Sequence, residues 1–190
     1  MDRMSRAKKI NGFCIRILFL SGLFISQAQA LEIAYKISIP NPADHYFHIQ
    51  IDLRGVNQEF LDLQMPAWSP GRYLILNFAR NVSDMTVNSA SGVLPFYKID
   101  KQTWRIQTQV STRISVQYKS YGNNLSGELS LVNNKQAVLA GVSLYMYVVG
   151  YIDIPVSLEV IPPAGWMILS SAGELGHRAL SFHHSDLMIG

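Results

Sequence analysis

The sequence predicts an all-β domain with an antiparallel, sandwich-like architecture. Apolar and polar residues alternate with a period of two in several runs, among them HYFHIQIDL (45–53), FLDLQM (60–65) and RISVQYKSY (113–121). A period of two buries one face of a strand and leaves the other wet, which is typical of antiparallel sheets. Pro, Gly and Asn pairs separate these runs at a spacing that favours a sandwich or barrel.

The alternation also predicts which side chains face the core. The inward set consists of Phe47, Ile49, Ile51, Leu53, Leu61, Leu63, Met65, Trp104, Ile106, Thr108, Ile114, Val116, Tyr118, Val156, Leu158 and Val160. No window predicts a helix of twelve residues, and residues 73–82 have room for one short helical turn.

The first thirty residues have the three parts of a secretory signal. A basic start containing Arg3, Arg6 and Lys8 precedes a nine-residue apolar run (17–25) and the small-residue pair Ala28 and Ala30. Residues 1–30 are therefore predicted to be a signal peptide that is cleaved before Leu31. A membrane span needs about twenty apolar residues, so no stable span is expected after cleavage. The protein is predicted to be exported, either to the periplasm or as a secreted protein.

Removing the leader changes the charge of the chain. The leader holds five of the 16 basic residues and one of the 13 acidic residues, which leaves eleven against twelve and a net charge of −1. The basic character of the precursor is thus no argument for nucleic-acid binding, and no such partner is expected. Cys14, the one cysteine, also leaves, so the mature chain has no thiol nucleophile and no cysteine metal ligand.

The mature chain is predicted to have two parts. Residues 31–170 form the β-rich domain. Residues 171–190 are less periodic and end on a short apolar stretch, LMIG (187–190). This pattern predicts a truncated linker toward a missing domain.

Catalytic motifs are missing from the sequence. It has no His-Glu-x-x-His helix motif, no Gly-x-Ser-x-Gly elbow and no glycine-rich phosphate loop. The five histidines are interpreted as surface or hydrogen-bonded residues, so neither a catalytic residue nor a metal ligand is predicted.

One dense segment, MPAWSPGRYLILNFARNV (65–82), combines turn formers, aromatic residues and arginines. Two interpretations remain open. A stiff loop with these side chains suits a ligand surface. Alternatively, Trp68 and Tyr73 plug the end of the sandwich as a structural corner, and the residues by themselves favour this second interpretation.

The order of short motifs along the chain resembles the N-terminal domain of the glycyl aminopeptidase family. These are thermolysin-like zinc peptidases that often carry a PDZ domain, and the resemblance covers residues 31–169. The matching residues are Leu61, Leu63, Pro66, Trp68, Pro70, Gly71, Tyr73, Asn77, Phe78, Arg80, Asp100, Lys101, Trp104, Pro163 and Trp166. Arg72 departs from the pattern, since the family often has a small residue there.

The resemblance implies a non-catalytic β-domain that packs beside a catalytic domain and helps to shape its substrate cleft. It implies no cofactor in this chain, with zinc only in the missing catalytic domain, and the chain alone is expected to be inactive as an aminopeptidase. The expected partners are a catalytic peptidase domain in another chain and a peptide substrate. The candidates for contacts at the cleft rim or domain interface are Trp68, Arg72, Tyr73 and Arg80. The alternative is a stand-alone exported module that binds peptide or carbohydrate.

Overall fold

The computed structural model describes residues 30–68, 75–126, 129–170, 173–174 and 180–183. Most of the regular structure in these ranges is strand, which confirms the all-β prediction. The strands are β1 (Glu32–Ser38), β2 (Tyr46–Arg54), β3 (Phe60–Gln64), β4 (Val82–Ser89), β5 (Gly92–Val93), β6 (Phe96–Lys98), β7 (Thr103–Gln107), β8 (Arg113–Tyr121), β9 (Asn123–Ser126), β10 (Leu129–Val132), β11 (Ala137–Val138), β12 (Tyr147–Val148), β13 (Pro155–Ile161), β14 (Leu169–Ser170), β15 (Gly173–Glu174) and β16 (Leu180–His183).

The helices within the described ranges are short. One α-helix, α1, spans Gly141–Leu144, and two 3₁₀ helices span Pro42–Asp44 and Phe78–Asn81. The second 3₁₀ helix lies within residues 73–82, where the sequence left room for one short helical turn. Residues 1–29, where the signal peptide is predicted, lie outside the described residues.

A seven-stranded sheet, in the order β16-β13-β1-β2-β8-β4-β5, forms the larger layer. Its central strands pair antiparallel, so that Ile49 of β2 lies opposite Ile37 of β1 on one side and Tyr118 of β8 on the other. All three side chains are buried, and the same face buries Phe47 and Val116. The predicted inward set is therefore confirmed for these strands.

The opposite face of this sheet is polar. Across β2 and β8, His48 lies opposite Lys119, Gln50 opposite Gln117 and Asp52 opposite Ser115. Polar residues at every second position let this face contact water while the other face packs against the core.

One pair of strands departs from the antiparallel prediction. β1 and β13 run parallel, with Ile33 opposite Val156 and Tyr35 opposite Leu158. Parallel neighbouring strands need a long crossover connection. Here the part of the chain that connects β1 to β13 includes all the strands of a second sheet, described below. β16 then pairs antiparallel with β13, which places part of the 171–190 stretch at the edge of the large sheet.

A four-stranded sheet, in the order β12-β3-β7-β6, forms the second layer. Leu63 of β3 lies opposite Trp104 of β7, and Leu61 lies opposite Ile106. These residues belong to one buried cluster together with the inward face of the large sheet. The core of the domain therefore lies between the two sheets, as a sandwich requires.

Buried tyrosines attach the segment after α1 to the large sheet. The Tyr118 hydroxyl donates to the Leu144 carbonyl over 2.7 Å and accepts the Met146 N–H over 3.1 Å. The Tyr35 hydroxyl donates to the Met146 carbonyl over 2.7 Å, and its ring meets the Tyr145 ring edge-on at 5.3 Å. These bonds satisfy backbone groups of an irregular buried segment, which would otherwise be costly to desolvate.

A strained two-residue turn joins β7 to β8. Gln109 and Val110 have positive φ values of 50° and 61°, and the Ser111 N–H donates to the Thr108 carbonyl over 2.9 Å. Turns with two positive φ values favour Asn and Gly, and the left-handed region costs an ordinary L-residue about 1–2 kcal/mol. Val110 is 90% exposed, so packing offsets little of this cost.

We expect Val110→Gly to raise the free energy of unfolding by about 0.5–1 kcal/mol, because the relief of strain exceeds the added entropy of the unfolded chain. Urea denaturation measures the change. Val93→Gly is the matched control, because Val93 is also an exposed valine but lies in strand β5. Val93→Gly should lower stability, and a similar loss for Val110→Gly would show that the turn is unstrained.

Candidate functional site

The aromatic and arginine-rich segment connects the two sheets at one end of the sandwich. It leaves β3 of the smaller sheet through the buried Met65, whose N–H donates to the Gln102 carbonyl over 2.9 Å. The Leu76 N–H then donates to the Ala67 carbonyl over 2.7 Å, which closes the base of the loop. A closed base fixes where the loop begins and ends.

Apolar side chains flank the closed base of this loop. Trp68 is 59% exposed and Ile75 is 85% exposed. The structural-corner interpretation requires Trp68 to be buried, so its exposure favours the surface interpretation for this residue. Two of the predicted site residues, Arg72 and Tyr73, lie outside the described residues, and their part of the prediction stays open.

The loop re-enters the fold through the 3₁₀ helix Phe78–Asn81. Phe78 and Ala79 are buried in the core, whereas Arg80 is exposed. The side chains of Trp68 and Arg80 make no hydrogen bond, ion pair or ring contact with another described residue, so no such contact joins the two candidates.

Arg80 lines a groove of about 230 Å³ at one end of the polar face of the large sheet. The lining residues come from the 3₁₀ helix, the end of β8, and strands β9 and β10. They are Arg80, Asn81, Tyr121, Asn123, Asn124, Leu129 and Ser130.

Aromatic residues hold the Tyr121 side of this groove in place. The Tyr121 ring is 40% exposed and meets the Tyr46 ring edge-on at 5.3 Å and the His45 ring at 6.1 Å. His45 Nδ1 donates to the Val132 carbonyl, and the Asn123 amide donates to the Tyr121 hydroxyl over 3.4 Å. His45 is thus a hydrogen-bonded structural residue, in agreement with its interpretation from sequence.

Some charged side chains on the described surface are paired with one another. On the polar face, Lys119 pairs with Asp84 at 2.8 Å, which raises the pKa of Lys119. Partial burial, and then the Lys119 charge, lower the pKa of His48. On the smaller sheet, Arg105 binds Asp62 through two hydrogen bonds of 2.7 and 2.8 Å, and these bonds raise the pKa of Arg105.

Several residues of the sequence motifs have structural roles. Asp100 accepts the N–H groups of Gln102 and Thr103 over 2.7 and 2.8 Å, which lowers the pKa of its carboxyl group and closes the turn between β6 and β7. Trp104 is buried, with the Lys98 ammonium 4.2 Å from its ring centre. These motif residues therefore indicate how the fold is held together rather than where a ligand binds.

Sequence reasoning missed most of the groove. Gly122, Asn123 and Asn124 are typical of a turn, whereas Asn123 and Asn124 belong to β9 and line the groove beside Tyr121. The one available signal was the exposed position of Tyr121 in the period-two pattern of β8.

The described residues do not fit a resident zinc ion. Among them, no three His, Cys, Asp or Glu side chains come together in a group that could hold a metal. A catalytic zinc site needs three protein ligands and an open position. Within the same residues, no helix has the length and apolar character needed to cross a bilayer.

Comparison with known proteins identifies the fold. The family described as the Peptidase M61 N-terminal domain matches residues 34–187. The crystal structure of an aminopeptidase N family protein from Idiomarina loihiensis aligns with a TM-score of 0.72 and 25% identity, covering 83% of this chain and 28% of that one. An M1 zinc metallopeptidase from Deinococcus radiodurans aligns with a TM-score of 0.39 and 10% identity, covering 81% and 39%. No curated protein matches the chain.

Proposed function

Since this chain belongs to the Peptidase M61 N-terminal domain family, we propose that it is the non-catalytic N-terminal part of a glycyl aminopeptidase-type zinc peptidase. In this role it lies beside a catalytic domain and shapes the substrate cleft. The observation that carries the proposal is the family match over residues 34–187. The chain covers only 28% of the Idiomarina protein, so the activity of a whole peptidase requires further polypeptide.

The proposal includes a truncated or split peptidase, in which another chain supplies the catalytic domain and its zinc. The proposal also includes export to the periplasm or outside the cell, which the leader-like pattern of residues 1–30 supports. The partners are then a catalytic domain and a peptide substrate.

The proposal predicts that the purified chain, supplied with zinc, does not hydrolyse glycyl or alanyl substrates in a chelator-sensitive way. Metal analysis should find less than one tightly bound zinc per chain. Stoichiometric zinc together with chelator-sensitive turnover would overturn the non-catalytic assignment. A separately expressed catalytic domain of the same family should co-elute with the chain in gel filtration.

Trp68→Ala tests whether Trp68 contributes to binding of the catalytic domain. Trp68 is 59% exposed, so its removal should leave the melting temperature nearly unchanged while it weakens co-elution. Trp104→Ala is the matched control, because Trp104 is buried and its truncation should cost about 3–5 kcal/mol of stability. A Trp68→Ala chain that unfolds would show that the loop is a structural corner.

A second candidate function is a stand-alone exported module that binds peptide or carbohydrate. Two features favour it, the groove beside Arg80 and the exposed side chains of Trp68 and Ile75. This chain forms both features by itself, so they could bind a ligand without a catalytic domain. A monomer that binds such a ligand without any catalytic domain, and that does not associate with one, would select this candidate.

A further inference from the structure

We propose that the groove lined by Arg80, Tyr121, Asn123 and Asn124 is a carboxylate-binding subsite that accepts an acidic or C-terminal group of a peptide. The proposal rests on the proposed function only for the choice of a peptide as the carrier of the carboxylate. The groove itself is argued from its own charges and hydrogen-bonding groups.

The charge of the groove is the first support. Among the lining residues that the structure describes, Arg80 is the one with a charge, and none of them is Asp or Glu. Within the part of the chain that the structure describes, Arg80 makes no ion pair, whereas Lys36, Arg105 and Lys119 are each paired with a carboxylate. A guanidinium without a counter-charge in a groove favours a ligand that supplies one.

The hydrogen-bonding groups are the second support. The guanidinium offers donors only, and the side chains of Asn81, Asn123 and Asn124 add amide donors around it. Because the Asn123 amide donates to the Tyr121 hydroxyl, that hydroxyl can direct its own proton toward a ligand. A carboxylate accepts several such bonds at once and matches the arginine fork.

The size of the groove and the fixed positions of two of its side chains are the third support. Its volume of about 230 Å³ is below the range of drug-sized sites, so it suits one terminal residue or one side chain. The Tyr121 ring is positioned by the Tyr46 and His45 rings, and Ser130 at the base is buried and bonded to Ala140 and Ser143. Tyr121 and Ser130 are therefore held in place before a ligand binds.

The test is an NMR titration of the full-length, isotope-labelled chain with three matched peptides. N-acetyl-Ala-Ala with a free C-terminus presents a terminal carboxylate, N-acetyl-Ala-Glu-amide presents a side-chain carboxylate, and N-acetyl-Ala-Ala-amide presents none. We expect saturable shifts of the Asn123 and Asn124 side-chain amides with at least one of the two acids. Affinity should be on the order of millimolar, since exposed ion pairs contribute little.

Arg80→Gln should weaken that binding about fivefold and leave the melting temperature unchanged, because Arg80 is exposed. Arg113→Gln is the matched control. It removes the same charge from an exposed position at the other end of β8, roughly 27 Å from Tyr121 along the strand, and should not change binding.

The two acidic peptides distinguish a C-terminal carboxylate from an acidic side chain. Equal binding of the neutral amide, equal loss in both arginine variants, or the absence of saturable shifts would overturn the proposal. Saturable shifts with a neutral oligosaccharide but with neither acid would assign the groove to carbohydrate instead. None of these readouts depends on peptidase activity, so the non-catalytic assignment can fail or stand separately.

Discussion

Above about pH 10 the folded chain is expected to lose stability steeply and to unfold in one cooperative step. Burial raises the pKa of Tyr35, Tyr118 and Tyr145, so all three stay protonated in the fold where an unfolded tyrosine, with a pKa of about 10, ionises. The unfolded chain then binds fewer protons than the native chain, and the free energy of unfolding falls as pH rises.

The size of this effect follows from the number of buried hydroxyls. Each tyrosine contributes a loss of about 1.4 kcal/mol per pH unit above its unfolded pKa, so the three together contribute about 4 kcal/mol per unit. Two pH units therefore remove an amount comparable with the whole stability of an ordinary domain. Circular dichroism and tyrosinate absorbance, recorded on the same samples, should report the transition at the same pH.

Tyr145→Phe and Tyr118→Phe separate ionisation from hydrogen bonding. The Tyr145 hydroxyl is buried without a hydrogen-bond partner among the described residues, so its removal should reduce the alkaline slope by about one third and leave neutral stability unchanged or slightly higher. Tyr118→Phe should reduce the slope equally but cost about 1–3 kcal/mol at neutral pH, because Leu144 and Met146 lose their bonds. Tyrosines that all titrate near pH 10 while the chain remains folded would contradict the prediction.

Gly122→Ala is expected to destabilise the domain by about 1–3 kcal/mol. An added Cβ would lie 2.6 Å from Cε2 of the buried Phe47 ring and 2.9 Å from the backbone oxygen of Ser130. Gly122 is held on both sides, since its N–H donates to the His45 carbonyl and its carbonyl accepts the Val132 N–H, each over 2.8 Å. The backbone therefore has little freedom to move away from the clash.

A double-mutant cycle checks the cause. Phe47→Leu alone should destabilise the domain, but it should cost less in a Gly122→Ala background, because the smaller side chain makes room for the new methyl group. Thermal or urea denaturation of the four chains gives the coupling energy. Additive losses would show that the Phe47 ring is not what resists the methyl group, and a neutral Gly122→Ala would show that the backbone at Gly122 can shift away from Phe47 and Ser130.

The period-two pattern was sufficient to predict the fold class and the buried faces of the main strands. Phe47, Ile49 and Ile51 are buried as predicted, because alternation along a strand is a local property that the sequence states directly. The short helix before β4 lies where the sequence left room for one helical turn, and His45 is hydrogen-bonded, which is one of the two states interpreted for the histidines.

The candidate site depends on tertiary contacts that the sequence does not state. Trp68 and Arg80 were candidates for contacts at the cleft rim or domain interface; the structure exposes both side chains, and that role stays a prediction. The groove beside Arg80 was missed because most of its other residues lie forty to fifty positions further along the chain, in β8, β9 and β10. Distance along the chain gives no information on such a neighbour until the strand order is known.

By itself, the sequence determined the β character of this protein, the inward and outward faces of its strands and its resemblance to a peptidase N-terminal domain. These depend on local alternation and on short ordered motifs. Only the tertiary structure decided that β1 runs parallel to β13, that Tyr35 and Tyr118 satisfy the backbone after α1, and that Arg80 stands unpaired beside Tyr121. Each of these is a relation between segments that are distant along the chain, and it exists only once the chain has folded.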